Sequence, residues 1–365
     1  MSRAALAPFS AAYGAAVSAR AAMYRRGWLR CESAAVPVIS IGNLAAGGTG
    51  KTPVVELVAR LLHEAGHSPA IISRGYGGRR SQDPLTVSDG SGSEPAVGPA
   101  EAGDEPVMLA RALPHVPVIV ARRRANGASL AVSRYGARSL VLDDGFQHLA
   151  LARDLDLVLL DAARPFDNGR LLPSGFLREP PAALARAGAL ILSGAAGPAP
   201  ASSNGGSAGE AGLREWLRPG TPVFHCEFRP IELTGPGAAA GRPLEWLRGR
   251  RIVAFAGIAR PERFARMLRE LHAATEEFIA FPDHHVYSPA DADRLASRLR
   301  ETGADALLTT EKDLARLTGS DASRRLEAAG LLALRGQAVM NPQEASHFTE
   351  VILEAARAGE GGIGH

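Results

Sequence analysis

Cysteine is scarce in this chain, with Cys31 and Cys226 the only two among 365 residues. They lie far apart in sequence and match no CxxC spacing, which excludes the usual cysteine-based metal and redox motifs. A chain with so little cysteine needs no oxidising compartment. We therefore expect a reducing cytoplasm as its environment.

Long apolar runs are also lacking. An uncharged run at residues 4–19 is shorter than the roughly 20 residues that a membrane span requires. Only Arg3 precedes it and the arginine-rich pattern continues to residue 30, so a signal peptide is not expected. The segment 1–30 instead predicts an amphipathic helix, lying on an anionic membrane surface or packed on its own domain. Its apolar stripe comprises Leu6, Phe9, Tyr13, Val17, Ala21, Tyr24 and Trp28.

Net charge is small, since 41 Lys and Arg residues face 38 Asp and Glu residues, a formal charge of +3. This excess is too weak to imply a nucleic-acid partner, although the pI of about 9.1 suits an anionic substrate or membrane surface. No internal repeat of fixed period is present, which argues against a solenoid. A length of 365 residues with 46% apolar and 22% charged residues indicates a globular protein of two α/β domains.

Short apolar runs alternate with helix-length segments along most of the chain. This alternation predicts a mostly parallel sheet with helices on both faces. The predicted helices are 53–65, 261–272 and 289–302, and residues 81–103 are expected to form a long surface loop. The predicted strands are 36–41, 69–73, 116–121, 139–143, 156–161, 189–193, 223–228, 251–256 and 306–309.

Two stretches rich in Gly and Ala divide the chain. Residues 194–212 hold one charged side chain among nineteen residues and are expected to be a disordered insertion. Residues 234–243 are the predicted linker between a core domain at 31–233 and a second, smaller α/β domain at 244–355.

The segment AAGGTGKT lies between a predicted strand and a predicted helix, as a phosphate-binding P-loop does. Its backbone amides and the helix dipole would bind phosphate oxygens, Lys51 would reach the β- and γ-phosphates, and the Thr52 hydroxyl would ligate Mg²⁺. Ala45 replaces the first glycine of the strict pattern, which is tolerable at negative φ. The predicted nucleotide-binding residues are Ala45, Ala46, Gly47, Gly48, Thr49, Gly50, Lys51 and Thr52.

Carboxylates occur at two further positions where a role in the site is predicted. Asp143 and Asp144 end an apolar strand, where they either hold Mg²⁺ beside the P-loop or cap a loop. Asp104, in the segment GDEP, lies at a predicted helix start, where an N-cap role competes with a catalytic one.

The segment FPDHHVY holds Asp283, His284 and His285 between two predicted helices. A histidine beside a carboxylate tunes proton transfer near neutral pH, whereas a metal site would need a further segment of the chain. The segment LTTEKD does not match the guanine-reading Lys-x-Asp signature of GTPases, because Lys312 and Asp313 are adjacent.

Eight segments follow one another along the chain: NLAAGGTGKTP, SRGYGGR, GDEP, VLDDGFQH, NGRLLPSGFLREP, FAGIARPERF, FPDHHVY and LTTEKD. Together and in this order they resemble the tetraacyldisaccharide 4'-kinase family of lipid A synthesis, over about residues 5–350. The resemblance implies a P-loop kinase-like α/β fold with a second domain closing over the active site, and an N-terminal helix associated with the membrane. It also implies phosphorylation of the 4'-hydroxyl of a tetra-acylated glucosamine disaccharide 1-phosphate, with ATP and Mg²⁺.

The resemblance further implies roles for single residues. Asp104 would be the base that takes the hydroxyl proton, with His284 as its partner and Asp283 orienting the histidine. Lys51 would act on the phosphates, and Mg²⁺ would lie on Thr52, Asp143 and Asp144. The implied substrate contacts are Arg74, Asn168 and Arg178.

The expected partners are the acylated disaccharide lipid and an anionic membrane surface, at the cytoplasmic face of a bacterial inner membrane. No nucleic acid or protein partner is expected. The alternative is a P-loop switch or metallochaperone NTPase, in which FPDHHVY binds a transition metal. A nucleotide-binding scaffold without catalysis is disfavoured by the intact Lys51, Thr52 and Asp143.

Overall fold

The computed structural model describes residues 6–47, 50–194, 210–236 and 241–358. The helices in chain order are α1 Ala7–Arg25, α2 Lys51–Glu64, α3 Pro99–Ala102, α4 Asp104–Ala112, α5 Arg124–Tyr135, α6 Glu210–Arg214, α7 Pro261–Glu270, α8 Pro289–Thr302, α9 Glu311–Leu317, α10 Asp321–Ala328 and α11 Ala345–Ala358. The strands are β1 Val38–Asn43, β2 Pro69–Ser73, β3 Leu85–Ser88, β4 Val118–Val120, β5 Ser139–Asp143, β6 Leu155–Asp161, β7 Ala189–Ser193, β8 Val223–Thr234, β9 Arg251–Ala256, β10 Ala274–Ala280, β11 Ala306–Thr310 and β12 Leu331–Met340.

All twelve strands join one sheet, in the order β10-β9-β11-β12-β8-β7-β6-β1-β5-β2-β4-β3. The pairs β8–β12 and β3–β4 are antiparallel and the others are parallel. In the register of β1 and β5, Ile41 lies opposite Asp143, so the loops that follow both strands leave from the same edge. The predicted fold, a mostly parallel α/β sheet, is confirmed.

Alternate residues of the central strands pack on opposite faces of the sheet. Ile39 and Ile41 of β1 share a buried cluster with α2, α4 and α11, whereas Val38 packs in a second cluster with α5. Val55 and Val58 of α2 are fully buried there, and each such side chain stabilises the fold by about 1.5–3 kcal/mol. Helix α2, which begins at the P-loop lysine, is thus held firmly on the sheet.

Strand β8 and strand β12 form an antiparallel ribbon between the two groups of parallel strands. Arg335 of this ribbon lies among three carboxylates, pairing with Glu232 at 2.9 Å, with Glu311 at 3.7 Å and with Glu56 of α2 at 4.0 Å. Phe348 of α11 packs in the cluster that contains β1 and α2, so α11 contacts the first group of strands. The domain boundaries at 31–233, 234–243 and 244–355 stay predictions.

Helix α1 packs on the loop that precedes Glu179. The Ser10 hydroxyl donates to Ser174 Oγ at 2.7 Å, and the Tyr13 hydroxyl donates to the Arg178 carbonyl at 3.0 Å. Phe9 remains 64% exposed on the outer face of the helix. Within the described ranges, α1 included, no helix has the length and apolar character needed to cross a membrane.

Three predictions about local structure are compared below with the elements that the structure has. The loop predicted at 81–103 contains β3 and α3, because Leu85 and Val87 bury their side chains in the core. The segment before FPDHHVY is strand β10 rather than a continuation of the helix–loop–helix pattern, and it pairs with β9. Of the predicted insertion 194–212, residues 195–209 lie outside the described residues, while Glu210 begins α6.

Candidate active site

The P-loop follows β1 and leads directly into α2. Gly50 precedes the helix with φ of 84°, in the left-handed region that glycine adopts without strain. Lys51 is the first helical residue, and its ammonium lies 3.3 Å from Asn43 Oδ1 and 3.4 Å from Asp144 Oδ1. Ala45 forms a β-bridge with Leu177 and is not among the described non-glycine residues with positive φ, so the replaced glycine causes no strain. Gly48 and Thr49 lie outside the described residues.

Asp143 and Asp144 stand at the carboxyl end of β5, beside the P-loop. Asp143 is buried and accepts a hydrogen bond from the Ser73 hydroxyl at 2.8 Å. Burial, followed by the negative charges of Glu105 and Asp144, raises the pKa of the Asp143 carboxyl. Asp144 has a φ of 52°, which a non-glycine residue adopts only at a cost, and such strain is concentrated at functional sites.

These two carboxylates fit a magnesium ion. Oδ1 of Asp143 is buried and has no hydrogen-bond partner among the described residues, and an oxygen in this state is suited to a hard cation. Magnesium retains several waters and takes few protein ligands when it is bound together with phosphates. The half-buried Thr52 at the start of α2 supplies a third oxygen on the same edge of the sheet.

Asp104 and His284 meet although 180 positions separate them. Asp104 is the first residue of α4 and the N-cap position is Gly103, so the prediction that Asp104 is the N-cap residue is wrong. Its Oδ2 lies 3.5 Å from His284 Nδ1 and 2.6 Å from Arg316 Nε. Gly103, which precedes Asp104, packs closely on the loop after β2, because its φ is 90° and a Cβ there would lie 2.6 Å from the Tyr76 carbonyl oxygen.

The charge around Asp104 favours its ionised form. Burial acts to raise the pKa of this carboxyl, but the nearby His284 side chain, the hydrogen bond from Arg316 and the charges of Arg316 and Lys312 outweigh burial and lower the pKa. Asp104 is therefore a carboxylate at neutral pH, able to accept a proton.

The family is decided by comparison with known proteins. The family model described as Tetraacyldisaccharide-1-P 4'-kinase matches residues 2–356. This chain belongs to the tetraacyldisaccharide 4'-kinase family. The predicted family, its kinase activity and the use of ATP with Mg²⁺ are thereby confirmed.

Individual members of the family cover most of the chain. A tetraacyldisaccharide 4'-kinase of Anaeromyxobacter dehalogenans (strain 2CP-C) is 47% identical over 84% of this chain and 79% of its own length. One from Syntrophus aciditrophicus (strain SB) is 40% identical over 96% of this chain and 92% of its own. The crystal structure of LpxK from Aquifex aeolicus in complex with ATP has a TM-score of 0.74 and 32% identity, covering 98% of this chain and all of that one.

The other predicted site residues of this kinase are Asp283, Arg178, Arg74 and Asn168, and each has different neighbours. Asp283 Oδ1 accepts from the His284 backbone amide at 3.0 Å but lies 4.0 Å from His284 Nε2, so its contact with the imidazole is weak. Arg178 donates to both carboxylate oxygens of Asp144, at 2.7 and 2.9 Å. Arg74 is exposed beyond β2, and Asn168 Oδ1 accepts from the Arg170 backbone amide at 3.1 Å within its own loop.

His285, the neighbour of His284, serves the structure of the kinase. Its Nε2 lies 3.1 Å from Asp291 Oδ2 at the start of α8, and its ring stacks on Phe281 with the centroids 4.6 Å apart. These contacts account for the aromatic residues of FPDHHVY as packing partners.

Sequence reasoning missed several residues of this kinase site, above all Arg316 of α9. Ser73 at the end of β2 was missed as well, and the buried Arg124 donates to the Asp143 carbonyl at 3.4 Å. Lys312 was considered only as part of a guanine-reading signature and was given no role in this site, where its ammonium lies 3.3 Å from Glu105 Oε1. A signal for Lys312 existed, because Lys51 and Lys312 are the only lysines in a chain whose other cations are arginines.

Proposed function

We propose that this chain transfers the γ-phosphoryl group of ATP to the 4'-hydroxyl of a tetra-acylated glucosamine disaccharide 1-phosphate, using the residues gathered at the carboxyl edge of the sheet. The observation that carries the assignment of roles is the convergence of Lys51, Asp143 and Asp144 on one side and Asp104 on the other. Phosphoryl transfer depends mainly on positioning and on neutralising charge, and this site offers both.

Lys51 is the residue that neutralises charge on the transferred group. Its side chain is 12% exposed and its ammonium pairs with Asp144, so it is held beside the carboxylates at the end of β5. Arg178 also pairs with Asp144, and the carboxylate therefore stays compensated when Lys51 turns to the phosphates. Lys51 would then pair with the phosphates and Asp144 with Arg178. Neither the ammonium nor the carboxylate would be buried without a partner, which avoids a large desolvation cost.

Thr52, Asp143 and Asp144 would hold the magnesium ion, which supplies charge neutralisation for the phosphates when it is bound. Asp104 would accept the proton of the sugar hydroxyl, supported by His284. The 5.7 Å separation of the His284 and Tyr76 rings places an exposed aromatic residue beside this pair, where a sugar could pack.

The enzyme would act at an anionic membrane surface, on the cytoplasmic face of the bacterial inner membrane. Helix α1 supports this proposal because one of its faces packs on the residues around Ser174 while Phe9 points outward. Trp28, 68% exposed just beyond the helix, has the Arg26 guanidinium 5.3 Å from its ring centroid. Aromatic side chains with neighbouring arginines favour the headgroup region of anionic membranes.

The experiment that tests the reaction uses γ-labelled ATP, Mg²⁺ and the tetra-acylated disaccharide 1-phosphate in mixed micelles. We expect the label to move to the lipid, with little free phosphate formed when the lipid is omitted. Labelled phosphate released at the same rate with and without lipid would identify a hydrolase and refute the proposal.

The role of the N-terminal segment is tested by replacing one exposed aromatic residue of α1, Phe9, and one just beyond it, Trp28. We expect Phe9→Glu with Trp28→Glu to weaken binding to vesicles with anionic lipid about 10-fold or more, since both changes place a charge where apolar contact is proposed. ATP binding should stay unchanged, because neither residue lies at the P-loop. Vesicle sedimentation at fixed salt measures the effect, and Trp216→Glu serves as the control at an exposed aromatic residue outside α1. Unchanged sedimentation of the double variant would show that α1 only packs on its own domain.

A further inference from the structure

Arg316 connects the two members of the Asp104–His284 pair. It lies in α9 and is 5% exposed, although arginine is seldom buried without a partner. Its Nε donates to Asp104 Oδ2 at 2.6 Å, and its NH2 lies 3.2 Å from His284 Nδ1. The direct separation of His284 Nδ1 and Asp104 Oδ2, 3.5 Å, exceeds the length of a normal hydrogen bond. The guanidinium therefore provides the shortest connection between the two groups.

The guanidinium is held from behind by a buried carboxylate. Its NH1 donates to Asp313 Oδ1 at 2.9 Å and to the Gly257 carbonyl. Asp313 is fully buried and accepts from the Thr310 hydroxyl at 2.7 Å and from the Gly257 amide at 3.1 Å. The planar fork of arginine is fixed in one orientation by these contacts, so the two groups in front of it are fixed as well.

The direction of donation settles the state of the imidazole in this arrangement. A guanidinium has only N–H donors, so the His284 Nδ1 that it contacts must be an acceptor. The ring is then neutral and carries its proton on Nε2. The same nitrogen cannot donate to Asp104 while Arg316 occupies its lone pair.

We propose that Arg316 is a positioning residue for the phosphoryl transfer, which holds Asp104 as a carboxylate and His284 as the neutral Nε2–H tautomer. The proposal rests on the assigned roles of Asp104 and His284 and extends them to a third residue. The charged and titratable groups that face this cluster from the elements packed against it are Glu105, Asp283, Tyr287, Lys312 and Asp313.

The tautomer can be tested without any activity measurement. In the wild-type protein labelled with ¹⁵N-histidine, we expect the His284 imidazole at pH 8 to show a protonated Nε2 and an unprotonated Nδ1. Comparison with His284→Gln assigns the signal among the ten histidines. A protonated Nδ1 would overturn the proposal even if the kinase reaction itself is as proposed.

The kinetic test compares Arg316→Met and Arg316→Lys with a matched control. We expect Arg316→Met to lower kcat for lipid phosphorylation about 10²-fold with KM for ATP unchanged, the lower end of what a positioned base contributes. Loss of the guanidinium should raise the pKa of Asp104, so the acid limb of the kcat/KM profile should move to higher pH. Arg316→Lys should restore the position of that limb but not the full rate, because a lysine keeps the charge without the fork.

Arg153→Met is the control, since Arg153 forms another buried pair, with Asp156 at 3.0 Å near the start of β6. It should leave the acid limb in place, whatever it does to stability. An acid limb that also stays in place in Arg316→Met would assign Arg316 a purely structural role and refute the proposal. If Arg316→Met fails to fold, Arg316→Lys and the wild-type histidine spectrum decide.

Discussion

Replacing Lys51 by alanine should abolish nearly all phosphoryl transfer while leaving the fold intact. Removal of a single preorganised group that stabilises developing charge costs about 10²–10³-fold in rate, and Lys51 is the sole lysine of the P-loop, so we expect a loss of about 10³-fold. The fold should survive, because Asp144 keeps its two contacts with Arg178 when the ammonium is gone. Transfer of label from γ-labelled ATP to lipid measures the rate, and circular dichroism with thermal melting measures the fold.

Two further variants of α2 sharpen this prediction. Lys51→Arg retains the positive charge but replaces a compact ammonium by a larger planar group, and we expect it to remain strongly impaired. Arg60→Ala lies on the same helix and removes one ion pair of Glu56, which keeps its contact with Arg335, so the variant should keep near-normal activity. Turnover close to that of the wild type in a folded Lys51→Ala protein would exclude the proposed role.

Most of the parallel strands were predictable because they are apolar runs buried on both faces. Strands β2, β5, β7 and β9 begin and end where the sequence pattern places them. Strand β10 escaped prediction because three of its seven positions are polar and only Ile279 is fully buried, so it lacks such a run. Strand β12 was missed for a related reason, since its pairing with β8 is a contact across about 100 positions that no local pattern records.

The residues of the candidate site also differ in whether a local sequence pattern predicts them. Lys51, Thr52, Asp143 and Asp144 follow directly from strand ends and a glycine-rich loop, which are local features. The contact of Asp104 with His284 came from the family resemblance, because no local pattern links α4 with the loop after β10. Arg316 had no signal at all in sequence, as it is one arginine in an arginine-rich chain and its position depends on Asp313 and Gly257.

The largest coupled effect is expected for the Asp104–His284 pair. Each of Asp104→Asn and His284→Gln should lower kcat about 10²–10⁴-fold, the range that a positioned general base provides. Asparagine and glutamine preserve the approximate size of the side chains. Arg316 also keeps its contacts with Asp313 and the Gly257 carbonyl, so the buried guanidinium is not left without partners.

The double variant decides whether the two residues act as one unit. Asp104 lies in α4 and His284 in the loop after β10. His284 nevertheless approaches Asp104 Oδ2, and Arg316 contacts both residues. Groups that act as a unit have non-additive effects, so the double variant should lose little more rate than the worse single variant. Measurements of kcat at saturating ATP, Mg²⁺ and lipid are needed, so that changes in binding do not enter. Losses that multiply would mean that Asp104 accepts the proton without help from His284, and the 3.5 Å approach would then be a contact between neighbours without shared chemistry.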